Sequence, residues 1–145
     1  MTRVWLDREA GFCGGVRRAV RGAEAARARL AGDRRVLTYG ELVHNPRVLA
    51  HLRASGVAQI DDLAALRGDE LVVIRTHGIA PGERAALADR SVTCLDLTCP
   101  RVARAQQLAA QAGRGDAAVL VVGDARHPEV RGLLGHAGAA AGVLS

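Results

Sequence analysis

A chain of 145 residues with 49% hydrophobic and 24% charged side chains is long enough for one ordinary core, which excludes both a disordered chain and a large multidomain enzyme. Aromatic residues make up only 2%, which argues against base stacking on aromatic platforms and leaves Val, Leu and Ala to build the core. Every basic residue is arginine and the net charge is +5; without a nucleic-acid-binding motif beside them, the arginines read as a solvated surface that gathers small anions, not as a nucleic-acid interface.

Arg3, Asp7, Arg8 and Glu9 interrupt the leading residues, so no secretory signal is expected there, and no apolar run is long enough to cross a bilayer. A cytoplasmic protein is expected. Three cysteines in a reducing compartment argue for metal binding or catalysis over a disulfide framework.

Residues 4–7 are the first strand candidate, followed by the turn Gly11-Phe12-Cys13-Gly14-Gly15. Val16, Ala19, Val20, Ala23 and Leu30, alternating with arginines, predict an amphipathic helix over 16–30 that stops at Gly32. A second strand, 36–40, runs into Glu41-Leu42-Val43-His44; Asn45 then caps and Pro46 begins a helix reaching about 55–56. A weaker helical piece at 61–66 precedes strand 71–76, and Gly78 with Pro81-Gly82 opens a helix over 83–89. Strand 92–97 enters Thr98-Cys99-Pro100 and a helix over 101–112, with Cys94 read as a core residue. Strand 117–122 leads to a helix over 127–134, and Val143-Leu144 starts a further strand. This βα alternation predicts an α/β fold with a doubly wound, parallel-type sheet, one small domain over 1–97 and about half of a second over 98–145.

Five reactive side chains, Cys13, His44, His77, Cys99 and His127, each follow a strand candidate. In open parallel sheets the carboxyl ends of the strands share one edge, where ligands bind, so one site is expected. Cys13 and Cys99 precede helices, whose free amides favour thiolate, the form that ligates metals. They lack the spacing of structural zinc motifs. Three imidazoles between strands and helices suit a phosphate or diphosphate. Glu129, two residues after His127, is either a first-turn acid complementing the helix dipole or a proton relay. Arg75 and Asp96 are expected to orient the loops, and His51 and His136 to lie on the surface.

The motifs Gly11-Phe12-Cys13, Gly15-Val16-Arg17-Arg18-Ala19, Leu42-Val43-His44-Asn45-Pro46, Arg75-Thr76-His77-Gly78, Asp96-Leu97-Thr98-Cys99-Pro100 and His127-Pro128-Glu129-Val130 occur in one order along the chain. Together they resemble the 4-hydroxy-3-methylbut-2-enyl diphosphate reductase family, also called IspH or LytB. The resemblance implies three pseudo-repeated α/β domains around a central 4Fe-4S cluster held by three cysteines. It makes Cys13 and Cys99 two of those ligands, His44, His77 and His127 the contacts to the substrate's diphosphate and hydroxyl, and His127 and Glu129 the catalytic pair, with Glu129 the acid of the proton relay. It also implies a ferredoxin or flavodoxin as electron donor. Family members continue beyond residue 145, so a truncated form is expected, with the third cysteine on a completing chain or segment. Gly14 and Thr76 depart from the residues common in the family. The alternative reading is a non-catalytic module of the same descent that binds a diphosphate or similar anion.

Overall fold

The structure, a computed structural model, describes residues 2–7, 10–115 and 118–145. Arg8 and Glu9 of the charged leading stretch, and residue 117 at the expected start of the fifth strand, lie outside these. The described chain runs α1 (Gly14–Arg29), β1 (Val36–Tyr39), α2 (Pro46–Ala54), β2 (Val57–Ile60), β3 (Leu71–Ile74), α3 (Pro81–Ala88), β4 (Thr93–Asp96), α4 (Pro100–Ala112), β5 (Val119–Val122), α5 (Pro128–Ala137) and β6 (Ala141–Leu144). β1 to β4 form a parallel sheet in the order β2-β1-β3-β4, and β5 pairs with β6 in a second parallel sheet. The expected α/β class is therefore observed.

Strands β1 and β3 lie at the centre of the larger sheet and are apolar on both faces, as parallel strands covered by helices must be. Alternate residues divide between the two sides. Val36 and Val73 meet Ala19 and Ala23 of α1 and Leu52 of α2, whereas Val72 and Ile74 meet Ile79 and Leu87 on the α3 side. Alanines on α1 let the helix lie close to the sheet. Gly22 brings it closer still: a Cβ there would stand 2.8 Å from Leu97 Cδ2.

At the amino-terminal edge of the sheet Glu70 is fully buried. Its carboxylate accepts the amides of Arg67 and Gly68, each at 2.9 Å, and pairs with Arg35. Burial pushes its pKa up, but these donors outweigh it and hold the group at about 2.

Several expectations change. Residues 4–7 carry no strand; Val4, Trp5 and Leu6 are 81–86% exposed, because an apolar stretch becomes a strand only where a neighbouring edge pairs with it. Residues 61–66 hold only a short 3₁₀ turn, Leu63–Ala65, capped by the Asp62 side chain. β2 was not predicted, since Val57-Ala58-Gln59-Ile60 is short and half exposed. Cys94 is exposed and not core, because β4 is an edge strand. Val119, Leu120, Val121 and Val122 do form the fifth strand, with β6 beside it.

Candidate functional site

Two groups of side chains meet at the carboxyl edge of the larger sheet. The first is the thiol pair. Cys13 is the N-cap of α1 and Cys99 that of α4. Gly15 lies between them: a Cβ there would stand 2.9 Å from Cys99 Sγ and 3.9 Å from Cys13 Sγ. A cleft of about 380 Å³ opens here, lined by Cys13, Gly14, Gly15, Cys99 and Pro100 with Arg18 and Arg101. No side-chain cap bond is closed at Cys13. The Val16 amide nonetheless leans on its sulfur and, with the Gly15 amide and the charges of Arg101 and Arg17, holds the thiol below its ordinary pKa. Two converging sulfurs, the Cys13 thiol held below its ordinary pKa, beside an open, arginine-rimmed cleft fit a soft metal or an iron-sulfur cluster.

This close approach makes Gly15→Ala informative. The added methyl must displace Cys99 Sγ, so the expected result is a loss of about 1–3 kcal/mol of stability, read from chemical denaturation, and weaker metal capture by the thiol pair.

The second group is a triangle of imidazoles. His44 lies in the β1–α2 loop, His77 in the β3–α3 loop, and His127 is the N-cap of α5. Ring centroids are 4.7 Å apart for His44 and His77, 5.5 Å for His44 and His127, and 5.3 Å for His77 and His127. Nitrogens of the three rings lie within 4.8 Å of one another. The loops that carry the two thiols and two of the rings are tied by hydrogen bonds. Thr76 Oγ1 donates to the Leu42 carbonyl at 2.9 Å, the Cys99 amide donates to the Thr76 carbonyl at 2.9 Å, and Arg18 donates to the Thr98 carbonyl. Asp96 accepts the Thr98 amide at 2.9 Å and its hydroxyl at 2.5 Å, and Arg75 lies over the Tyr39 ring at 5.5 Å.

The hydrogen bonds of the rings decide what they offer. His44 Nδ1 faces the Glu41 carboxylate at 2.9 Å, so it carries the proton. His127 Nδ1 accepts the Glu129 amide at 3.2 Å, so the neutral ring bears its hydrogen on Nε2 and presents a donor. That tautomer suits an anion and not a metal ion, which needs a lone pair. Burial, then the neighbouring rings of His44 and His127, push the His77 pKa down to about 4, and its buried Nδ1 has no hydrogen-bond partner among the described residues. Glu129 is half-buried in the first turn of α5. The site therefore places the His127 donor, with the His44 and His77 rings beside it, at the amino ends of α2 and α5, where an anion is favoured.

His77 supplies a pH test. Its folded pKa lies below the unfolded value near 6.5, so the neutral ring belongs to the fold, and stability falls as pH drops from about 6.5 toward 4. An NMR titration of the ring should show its midpoint near 4, and inorganic pyrophosphate should raise it.

The sequence reading missed Glu41, Thr76 and Gln106. The first is signalled only by its three-residue spacing to His44, and Thr76 by a polar residue in a buried strand exit. Gln106 is an amide on the stripe of α4 that also buries Ala109. His51 is on the surface as expected, paired with Glu24 at 2.8 Å; His136 is half-buried, bonded to the Gly132 carbonyl at 2.8 Å. No helix of the described residues is long and apolar enough to cross a membrane.

The profile of the LytB protein family matches residues 4–145. The 4-hydroxy-3-methylbut-2-enyl diphosphate reductase of Solidesulfovibrio magneticus is 42% identical over 138 residues, covering 93% of this chain and 48% of that protein. The enzyme of the same name from Nitratidesulfovibrio vulgaris (strain DSM 19637 / Miyazaki F) is 43% identical over 143 residues, 98% of this chain and 50% of the relative. A solved structure of (E)-4-hydroxy-3-methyl-but-2-enyl diphosphate reductase superposes with a TM-score of 0.81 at 34% identity, over 95% of this chain and 49% of that one. The corresponding enzyme from Plasmodium falciparum shares the fold, with a TM-score of 0.89 at 24% identity over 94% of this chain and 42% of that one. The chain spans about half the length of the curated relatives it matches.

Proposed function

The chain belongs to the LytB protein family, and from that premise we propose that it supplies the amino-terminal part of a 4-hydroxy-3-methylbut-2-enyl diphosphate reductase. The reaction adds two electrons and two protons to the substrate, breaks its allylic carbon–oxygen bond, and releases water with isopentenyl or dimethylallyl diphosphate. The observation that carries this reading is the joint placement of two thiols around Gly15 and three imidazoles at one sheet edge.

The donor set fits an iron-sulfur cluster in part. Cys13 and Cys99 are the ligands this chain offers, and a completing chain or segment supplies the third. Cys94 is not a substitute, since it pairs within β4 opposite Val72, away from the strand's exit. When bound, a 4Fe-4S cluster supplies electrons, received from a ferredoxin or flavodoxin, and a Lewis-acidic iron. The remaining work belongs to the protein's side chains. His127 donates through Nε2–H to the anionic substrate; His44, oriented by Glu41, and His77 close the other sides of the diphosphate. Glu129, beside His127, delivers a proton toward the departing hydroxyl. Arg18 and Arg101 at the thiol cleft draw in a small anion.

The exposed Val4, Trp5, Leu6 and Phe12 near Cys13, with Leu120 and Val122 on β5, leave apolar surface for the completing polypeptide to cover. The test is complementation. This chain, co-purified without oxygen with the carboxy-terminal half of the Solidesulfovibrio magneticus relative, should consume 4-hydroxy-3-methylbut-2-enyl diphosphate in the presence of reduced ferredoxin, and neither part should do so alone. A second reading, a non-catalytic anion-binding module, is favoured by the presence of only two thiols at the cleft. Pyrophosphate binding by this chain, with an inert complemented complex, would establish that reading instead.

A further inference from the structure

Gln106 is a polar side chain on the inward stripe of α4, only 6% exposed. Its Nε2 donates to the His77 carbonyl at 3.2 Å. Two glycines are emptied around it. A Cβ on Gly78 would stand 2.6 Å from Gln106 Nε2, and one on Gly132 of α5 would stand 2.8 Å from the same atom. The amide thus fills a cradle made by the β3–α3 loop on one side and α5 on the other. The amide is therefore the polar contact that sets the separation of loop and helix on the His77 side, while Ala80 of the same loop, against Gly135, sets it further along α5. Gly78 has φ +67°, a conformation in which glycine is at ease, and it follows His77 directly. Gly132 lies one helical turn beyond His127 and Pro128, on the element that carries the third imidazole.

We propose that Gln106 is a positioning residue of the imidazole site, holding the His77 loop and the His127 helix at the separation at which their rings grip one anion. The proposal rests on the diphosphate reading of the triangle. It also separates the two halves of the site. Gln106 follows Cys99 by seven residues, about 10 Å along the helix axis, so its loss loosens the imidazoles without reaching the thiols.

Gln106→Met keeps the volume and removes the donor. Gln106→Ala combined with Gly132→Ala removes the donor and refills the cradle from the α5 side. In calorimetric titration of the 145-residue chain with inorganic pyrophosphate, both variants should unfold cooperatively yet bind about tenfold more weakly, the worth of one ordinary hydrogen bond. The cross-relaxation signal between the His77 and His127 ring protons, which the 5.3 Å centroid distance makes observable in the wild type, should fall in both. Wild-type affinity with an intact ring-to-ring signal in either variant would overturn the proposal, as would loss of the fold in both, which would make Gln106 structural only. If the wild-type chain itself fails to bind pyrophosphate, the diphosphate reading fails, and the ring-to-ring signal alone decides whether Gln106 sets the spacing.

Discussion

Serine at Cys13 or at Cys99 should leave the fold intact and lower iron and sulfide uptake by the complemented complex, and its reductase turnover, by more than about 100-fold. That exceeds the 10- to 100-fold typical of a supporting residue one step removed from a metal, as loss of a direct ligand should. The fold is spared for a local reason. Both cysteines are helix N-caps without a closed side-chain cap bond, and serine is among the preferred residues there, since its hydroxyl accepts an amide of the first turn. Circular dichroism and melting of each variant should match or slightly exceed the wild type, so that lost metal capture is not lost structure. Cys94→Ser is the control. The residue lies exposed on the edge strand, and partial burial of its thiol, with Asp96 beside it and against the charge of Arg84, holds its pKa up and not down, so the substitution should leave iron uptake unchanged.

Glu70→Ala should be a costly single change to stability, about 3 kcal/mol, the lower end of the range for breaking a buried ion pair because the Arg35 side of the pair is partly exposed. It orphans the Arg67 and Gly68 amides, whose bonds to it are part-buried, along with the Arg35 guanidinium. The same carboxylate sets a pH dependence. Its folded pKa of about 2 lies below the ordinary 4.5, so its contribution is complete above the unfolded value and is lost as pH falls through the folded one. With allowance for solvent at Arg35, 37% exposed, that contribution is about 2 kcal/mol. Urea midpoints for the wild type should therefore decline between about pH 5 and pH 2. In Glu70→Gln the decline over that window should be shallower, with lower stability at neutral pH. Glu70 lies at the sheet edge opposite the imidazoles, so neither substitution should change the affinity for pyrophosphate.

The parts of this molecule legible in its sequence are those that depend on neighbours along the chain. Asn45-Pro46 states a helix start, and the structure has the Asn45 side chain accepting the Arg47 and Val48 amides. The apolar runs of β1 and β3 state buried parallel strands. His44, His77 and His127 could be grouped because each follows such a strand, and the carboxyl ends of parallel strands share an edge. What the sequence could not state depends on partners far along the chain. Val4, Trp5 and Leu6 have the apolar character of a strand and find no edge among the described residues; Cys94 sits at an alternating position whose outer side has no cover. The tautomer of His127 follows from a bond to the amide of Glu129. The role of Gln106 follows from two glycines that precede and follow it by more than 20 residues.

In the proposed reductase Cys13 and Cys99 are two ligands of a cluster completed from outside this chain. The measurement that tests it most directly is the iron and acid-labile sulfide content of this chain, co-purified under anaerobic reconstitution with the carboxy-terminal half of the Solidesulfovibrio magneticus relative. About four irons and four sulfides per complex are expected, lost together in the variant carrying both Cys13→Ser and Cys99→Ser. Equal iron and sulfide in that double variant, or none in the wild-type complex, would contradict it.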